Sequence, residues 1–159
     1  MAPSRILVVD DEPNVRSLIG TTLEHSDYQP VLAGSATEAI QYMEHDEPFD
    51  LVLSDMMMKG IDGLGLLDRI KQLQPQTPVV MVTAIHDIGV AITAMRKGAY
   101  DYLLKPFEKE QLLTTVRRAL DYRQLVQENM LYQQNLEELV AARTNLLRQA
   151  MAELERSYD

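Results

Sequence analysis

The chain has 159 residues, 46% hydrophobic and 25% charged, which is enough apolar material for a folded domain with an appendage and excludes a disordered polymer. Its formal net charge of -9 argues against a direct grip on nucleic acid or on an anionic membrane, because both need concentrated Lys and Arg. Cysteine is absent, so disulfides and thiolate metal sites are excluded, and no apolar run suits a signal peptide or a bilayer span; the expected location is the cytoplasm.

The first predicted strand is Ile6–Val9, a continuous apolar run of the kind covered on both faces. Pro13 suits the first turn of a helix, and Val15, Leu18, Ile19, Thr22 and Leu23 follow at spacings of three and four. Pro30–Ala33 is the second strand, and Ser35 with Glu38 forms a capping box ahead of the stripe Ala36, Ala39, Ile40 and Met43. Leu51–Leu53 is the third strand, followed by a helix through Leu66, Leu67, Ile70 and Leu73 that stops before Pro75 and Pro78. Val79–Val82 is the fourth, and helical spacing returns at Ile88, Ala91, Ile92 and Met95 until Gly98. Tyr102–Leu104 is the fifth strand, with a helix beginning near Glu108 and meeting neither glycine nor proline to Asp159. Five strand–helix alternations predict an α/β fold, a doubly wound five-stranded parallel sheet with a long C-terminal helix.

In such a sheet ligands bind outside the carboxyl ends of the strands. Asp10 and Asp11 follow the first strand, Asp55 the third, Thr83 the fourth and Lys105 the fifth. Singly, each has an ordinary reading: a helix cap, a turn, a strand residue, a solvated charge. Together they place three carboxylates and one cation at one crevice, and like charges that close need an offset. A hard divalent cation such as Mg2+ supplies it. Asp55 is then a candidate nucleophile for a phosphoryl group, with Lys105 and Thr83 able to meet the phosphoryl oxygens.

The stretches VVDDEP, LSDMMMKGIDG, MVTA and YDYLLKPF, in this order over roughly residues 4 to 122, resemble the receiver domain of two-component response regulators. The resemblance implies a flavodoxin-like (βα)5 arrangement with Asp55 as phosphoacceptor, supplied by a sensor histidine kinase or a phosphotransfer protein. It implies Mg2+ held by Asp11, Asp55 and the carbonyl of Met57, with Asp10 acting through water. Thr83 and Lys105 would contact the phosphoryl group, Lys105–Pro106 would be a cis peptide, and Thr83 with Tyr102 would form the switch. Such a module catalyses only its own phosphorylation and dephosphorylation. The family commonly has proline where this chain has Lys59, so the loop after the phosphoacceptor loses a fixed φ. The methionines at 56–58 serve either as packing or as an adaptable surface. Met57 and Ile85, two positions after Asp55 and Thr83, are expected to flank the approach of a hydrolytic water and to slow it.

Beyond the expected receiver, 1–122, lies an expected connector, 123–159. Leu125, Tyr132, Leu139 and Leu146 recur every seven residues, with Tyr122, Asn129, Leu136, Arg143 and Ala150 in the alternate register. This spacing predicts a homodimer through the C-terminal helix, parallel because two receivers at one end could then pass a change to two effectors at the other; packing on a further domain is the other reading. The helical pattern reaches Glu155–Asp159 without a stop signal, which points to an output domain beyond it. NLEELVAARTNLLRQAMAELERSYD resembles connectors that precede HD-GYP phosphodiesterases of cyclic di-GMP. Two other functions compete. An aspartate-nucleophile phosphotransferase on an external substrate would need a cap or pocket, and a flavin carrier would want a Ser/Thr-rich phosphate loop where Asp10, Asp11 and Glu12 stand.

Overall fold

The computed structural model describes residues 2–84 and 87–157. The elements alternate as β1 (Arg5–Val9), α1 (Pro13–His25), β2 (Gln29–Ala33), α2 (Ala36–His45), β3 (Leu51–Asp55), α3 (Gly63–Leu73), β4 (Val79–Ala84), α4 (Ile88–Arg96), β5 (Asp101–Lys105) and α5 (Lys109–Ser157). All strand pairs are parallel, in the order β2-β1-β3-β4-β5. This is the doubly wound sheet that the alternation predicts, in the flavodoxin-like arrangement that the receiver resemblance implies. The order reverses at β1 and β3, which puts the ends of those two strands side by side at the crevice.

The chain divides into two compact units, 1–123 and 124–159. In the first, side chains alternate across the sheet with the period of two that strands impose. Ile6 and Val8 of β1 and Leu51 and Leu53 of β3 join Ile19 and Leu23 of α1 and Leu112, Val116 and Ala119 of α5. Leu7, Val9 and Val52 point the other way, into a core with Ala39 and Met43 of α2, Leu66, Leu67 and Ile70 of α3, and Ala94 of α4. Helix starts follow local chemistry. Ser35 Oγ accepts from Glu38 N at 3.1 Å and Asp62 Oδ1 from Gly65 N at 2.8 Å, each satisfying an amide that the first turn cannot.

Three sequence expectations need correction. The strands run farther than their apolar runs, so Asp55 and Lys105 are the last residues of β3 and β5 and Thr83 lies inside β4. Leu18 is not part of the buried stripe of α1 but is 64% exposed. In α4 the expected stripe is largely outside: Ala91 and Ala94 are buried, whereas Ile88, Ile92 and Met95 are exposed. Small side chains let α4 lie close to the sheet, and its larger ones face away.

At the amino ends of the strands a charged cluster pins β3. Asp50, just before it, accepts from Arg5 N at 2.8 Å and pairs with Arg123 Nη1 at 2.9 Å. Asp50 N donates to Arg5 O at 2.8 Å, and the Arg5 guanidinium stacks over Phe49, 4.6 Å from the ring centroid. Nearby, Tyr122 stacks on Tyr100 with 4.8 Å between centroids.

The second unit is the remainder of α5, a helix whose Leu125, Tyr132, Leu139 and Leu146 are 53–66% exposed. No described helix is long and apolar enough to cross a membrane.

Candidate functional site

At the end of β1, Asp10 is only 1% exposed and each of its polar atoms is engaged. Its N–H donates to Ala33 O at 3.1 Å, its carbonyl accepts from Arg16 Nη1 at 2.8 Å, Oδ1 accepts from Glu12 N at 2.9 Å, and Oδ2 lies 3.4 Å from Lys105 Nζ. Asp11 follows, half-buried. Asp55 ends β3 with 7% exposure; Oδ1 accepts from Met57 N at 3.4 Å and Oδ2 lies 3.5 Å from the same Lys105 Nζ. One carboxylate oxygen from each of Asp10, Asp11 and Asp55 lies within 4.8 Å of the other two. The structure thus brings together the acids and the lysine that the sequence singles out.

The electrostatics follow from that crowding. Burial, then the Asp10 charge, raises the Asp55 carboxyl above its ordinary 3.8, against the pull of Lys105 and the Met57 amide. Burial lowers the Lys105 ammonium, but the charges of Asp55 and Asp10 outweigh it and leave the group raised from 10.5. One lysine cannot neutralise three carboxylates. The donor set is all oxygen and carries excess negative charge, which fits a hard divalent cation and no soft one.

Thr83 is buried and its hydroxyl donates to Ala84 O at 3.3 Å. Tyr102 on β5 is 40% exposed. The Lys105–Pro106 peptide is cis. The three methionines divide: Met56 is buried, Met58 packs on the core, and Met57 is 61% exposed beside the acids. The packing reading of that run holds for Met56 and Met58. Lys59 precedes Gly60, whose φ of 81° lies in the left-handed region that glycine tolerates. Ile85 lies outside the described residues.

The sequence profile of the response regulator receiver domain matches residues 6–117. The chain belongs to the response regulator receiver family. Its similar relatives include an NtrX-like response regulator of Rickettsia felis, 35% identical over 132 residues, which covers 82% of this chain and 28% of that protein. The C4-dicarboxylate transport transcriptional regulatory protein DctD of Pseudomonas aeruginosa is 38% identical over 128 residues, covering 80% of this chain and 28% of that one. Among solved structures, NtrX from Brucella abortus in complex with ADP superposes with a TM-score of 0.78 at 37% identity, covering 80% of this chain and 29% of that one. The receiver therefore spans about 28% of the length of the curated relatives it matches.

Two further residues shape the site of this receiver: Arg16 lies outside the quoted motifs, whereas Gly63 closes the stretch LSDMMMKGIDG. Arg16 holds the Asp10 carbonyl, and Gly63 packs against the backbone of Asp55 and Met56. A side chain that bonds a backbone atom, or a glycine needed for close approach, leaves no periodic trace.

Proposed function

We propose that the receiver takes a phosphoryl group onto Asp55 from a sensor histidine kinase or a phosphotransfer protein and relays the change to an output domain. The observation that carries this reading is Lys105 Nζ at 3.4 Å from Asp10 and 3.5 Å from Asp55, on the rim of a three-carboxylate cluster. An Asp55 carboxylate oxygen attacks phosphorus in line with the donor imidazole. The new O–P bond forms as the N–P bond breaks, and the electron pair stays on the imidazole, which takes up a proton. Asp10, Asp11, Asp55 and the Met57 carbonyl would hold Mg2+, which when bound supplies neutralisation of phosphoryl charge. Lys105 pairs with a phosphoryl oxygen, and the Thr83 hydroxyl leaves Ala84 O to donate to another. Tyr102 then turns inward into the vacated space, so the phosphoryl group biases a two-state surface only by what it contacts differently in each state. Apolar Met57 beside the site offers an attacking water no hydrogen bond and favours a long-lived phosphoryl group.

The competing phosphotransferase reading asks for a substrate pocket over the acids. A cavity of ≈ 800 Å³ beside Lys105 is lined by β5 and the start of α5, and by none of the three clustered aspartates. A small-molecule phosphodonor with Mg2+ is expected to add one phosphoryl mass to the intact chain, and Asp55→Asn to abolish it. The same stoichiometric adduct in the variant would overturn the assignment.

The relay is proposed to run through a parallel pairing of residues 124–157 with a second copy. Leu125, Tyr132, Leu139 and Leu146, all more than half exposed, form a seven-residue stripe suited to a twin. Light scattering should give a dimer mass at micromolar concentration. Leu139→Asp should shift it towards the monomer while Asp55 still accepts phosphoryl, and a monomer for the unaltered chain would refute the pairing. The resemblance of 135–159 to HD-GYP connectors points to cyclic di-GMP hydrolysis as the output. DctD, a transcriptional regulatory protein, points to transcription instead. Assay of the full-length protein for cyclic di-GMP hydrolysis separates the two.

A further inference from the structure

We infer that Arg16, seated in a niche at Gly34, is a positioning residue that sets the Asp10–Asp11 peptide for cation binding. The inference rests on the magnesium reading above. Arg16 reaches back from α1 and donates from Nη1 to Asp10 O at 2.8 Å. That carbonyl belongs to the peptide joining Asp10 to Asp11, so the guanidinium fixes the plane from which Asp11 leaves β1. The other atoms of Asp10 are held from other elements, by Ala33 on β2, by the Glu12 amide and by Lys105 on β5. Arg16 completes the set.

Gly34 makes room for it. A Cβ at position 34 would sit 2.9 Å from Arg16 Nη1, closer than side chains pack, so the guanidinium would have to shift off its present seat. The Gly34 amide in turn donates to Glu38 Oε2 at 3.0 Å, and Glu38 is fixed by its own amide on Ser35 Oγ at 3.1 Å. The loop after β2 and the first turn of α2 thus form a wall against which the guanidinium rests.

Charge and geometry predict opposite signs, which makes the role testable. Arg16 is a cation near a cation site, so a purely electrostatic part would have Mg2+ bind more tightly once it is removed. A positioning part has Mg2+ bind more weakly, as for residues that orient metal ligands, where loss costs about 10–100-fold in affinity.

The test is calorimetric titration of the full chain with Mg2+. Arg16→Gln and Gly34→Ala should each weaken binding about tenfold, the second without altering any charge, and Arg16→Lys should restore part of it through its ammonium. In metal-free protein the Glu12 amide should exchange faster in Arg16→Gln while the amides of β4 are unchanged. Mg2+ affinity equal to or tighter than that of the unaltered chain in both variants, with only a lower melting temperature, would overturn the inference. Should the unaltered chain bind no Mg2+, the magnesium reading itself fails. Exchange at Glu12 then decides the positioning role: unchanged exchange removes it.

Discussion

Gly63→Ala is expected to cut phosphoryl acceptance at Asp55 by about 100-fold, the penalty typical of moving a reacting group by about 1 Å. Gly63 is the first residue of α3, and its amide donates to Met56 O at 3.0 Å, so the helix starts directly against the strand that ends in Asp55. A Cβ here would fall 2.6 Å from Asp55 O, 2.7 Å from Met56 Cα and 2.8 Å from Met81 Cε. The methionine can swing away. The two backbone atoms cannot, so either α3 withdraws or the end of β3 shifts, and the second disturbs the Asp55 carboxylate relative to Lys105. Overpacking of this kind costs about 3 kcal/mol, at the upper end of its usual range. For a domain of this size that is a fall of roughly 10 °C in melting temperature. Gly89→Ala in α4 is the control, because nothing lies within 4 Å of its Cβ position. It should leave phosphorylation unchanged and stabilise the helix by about 0.5–1 kcal/mol. Wild-type phosphorylation kinetics in Gly63→Ala would show that the close approach does not position Asp55.

Asp55→Asn, measured without metal, should make the protein more stable at pH 7 by about 1 kcal/mol, with a gain that shrinks on acidification. Burial and the Asp10 charge raise the Asp55 carboxyl above its ordinary 3.8 in the folded state. The folded protein therefore binds this proton more tightly than the unfolded chain, and stability falls as pH rises from about the unfolded value through the folded one. Above that window the cost of a buried ionised carboxylate is fully present; below it the carboxyl is neutral and resembles the amide. Urea melts of both proteins across pH 3 to 7 should converge at the acid end. A variant that is less stable at pH 7, or a difference independent of pH, would show that the Lys105 pairing outweighs burial and repulsion.

The sheet and the acid cluster were legible because both are written in patterns that sequence preserves. Strands buried on both faces read as continuous apolar runs, and a doubly wound sheet sends the residue after each run to one crevice. Depth was not legible: Asp10 and Asp11 look equivalent in sequence, yet Asp10 is sealed under four contacts while Asp11 is half-buried. Nor was the outer side of α4, since Ile88, Ala91, Ala94 and Met95 are all apolar and periodicity alone cannot choose which face meets the sheet. Leu18 misled for a related reason, lying one position before the buried Ile19 at the edge of the stripe. Arg16 and Gly34 were invisible because their contact joins helix α1 to the loop after β2.

The two ends of β3 are held very differently, and the difference has a mechanical meaning. At the start, Asp50 is bolted to Arg5 through one backbone bond and one from the Arg5 amide to its carboxylate, and to Arg123 through an ion pair at 2.9 Å. At the finish, roughly 17 Å away at about 3.3 Å per residue, the Asp55 carboxylate meets the Lys105 ammonium and one long amide contact while its backbone stays paired with Val82 of β4. A strut whose backbone is laddered to both neighbours does not slide or bend when load arrives at one tip; the side chains there and the loop beyond give first. Charge added at Asp55 is therefore absorbed by the Lys105 ammonium and by the loop that follows β3, while the clamped end stays still as the fixed footing of the domain.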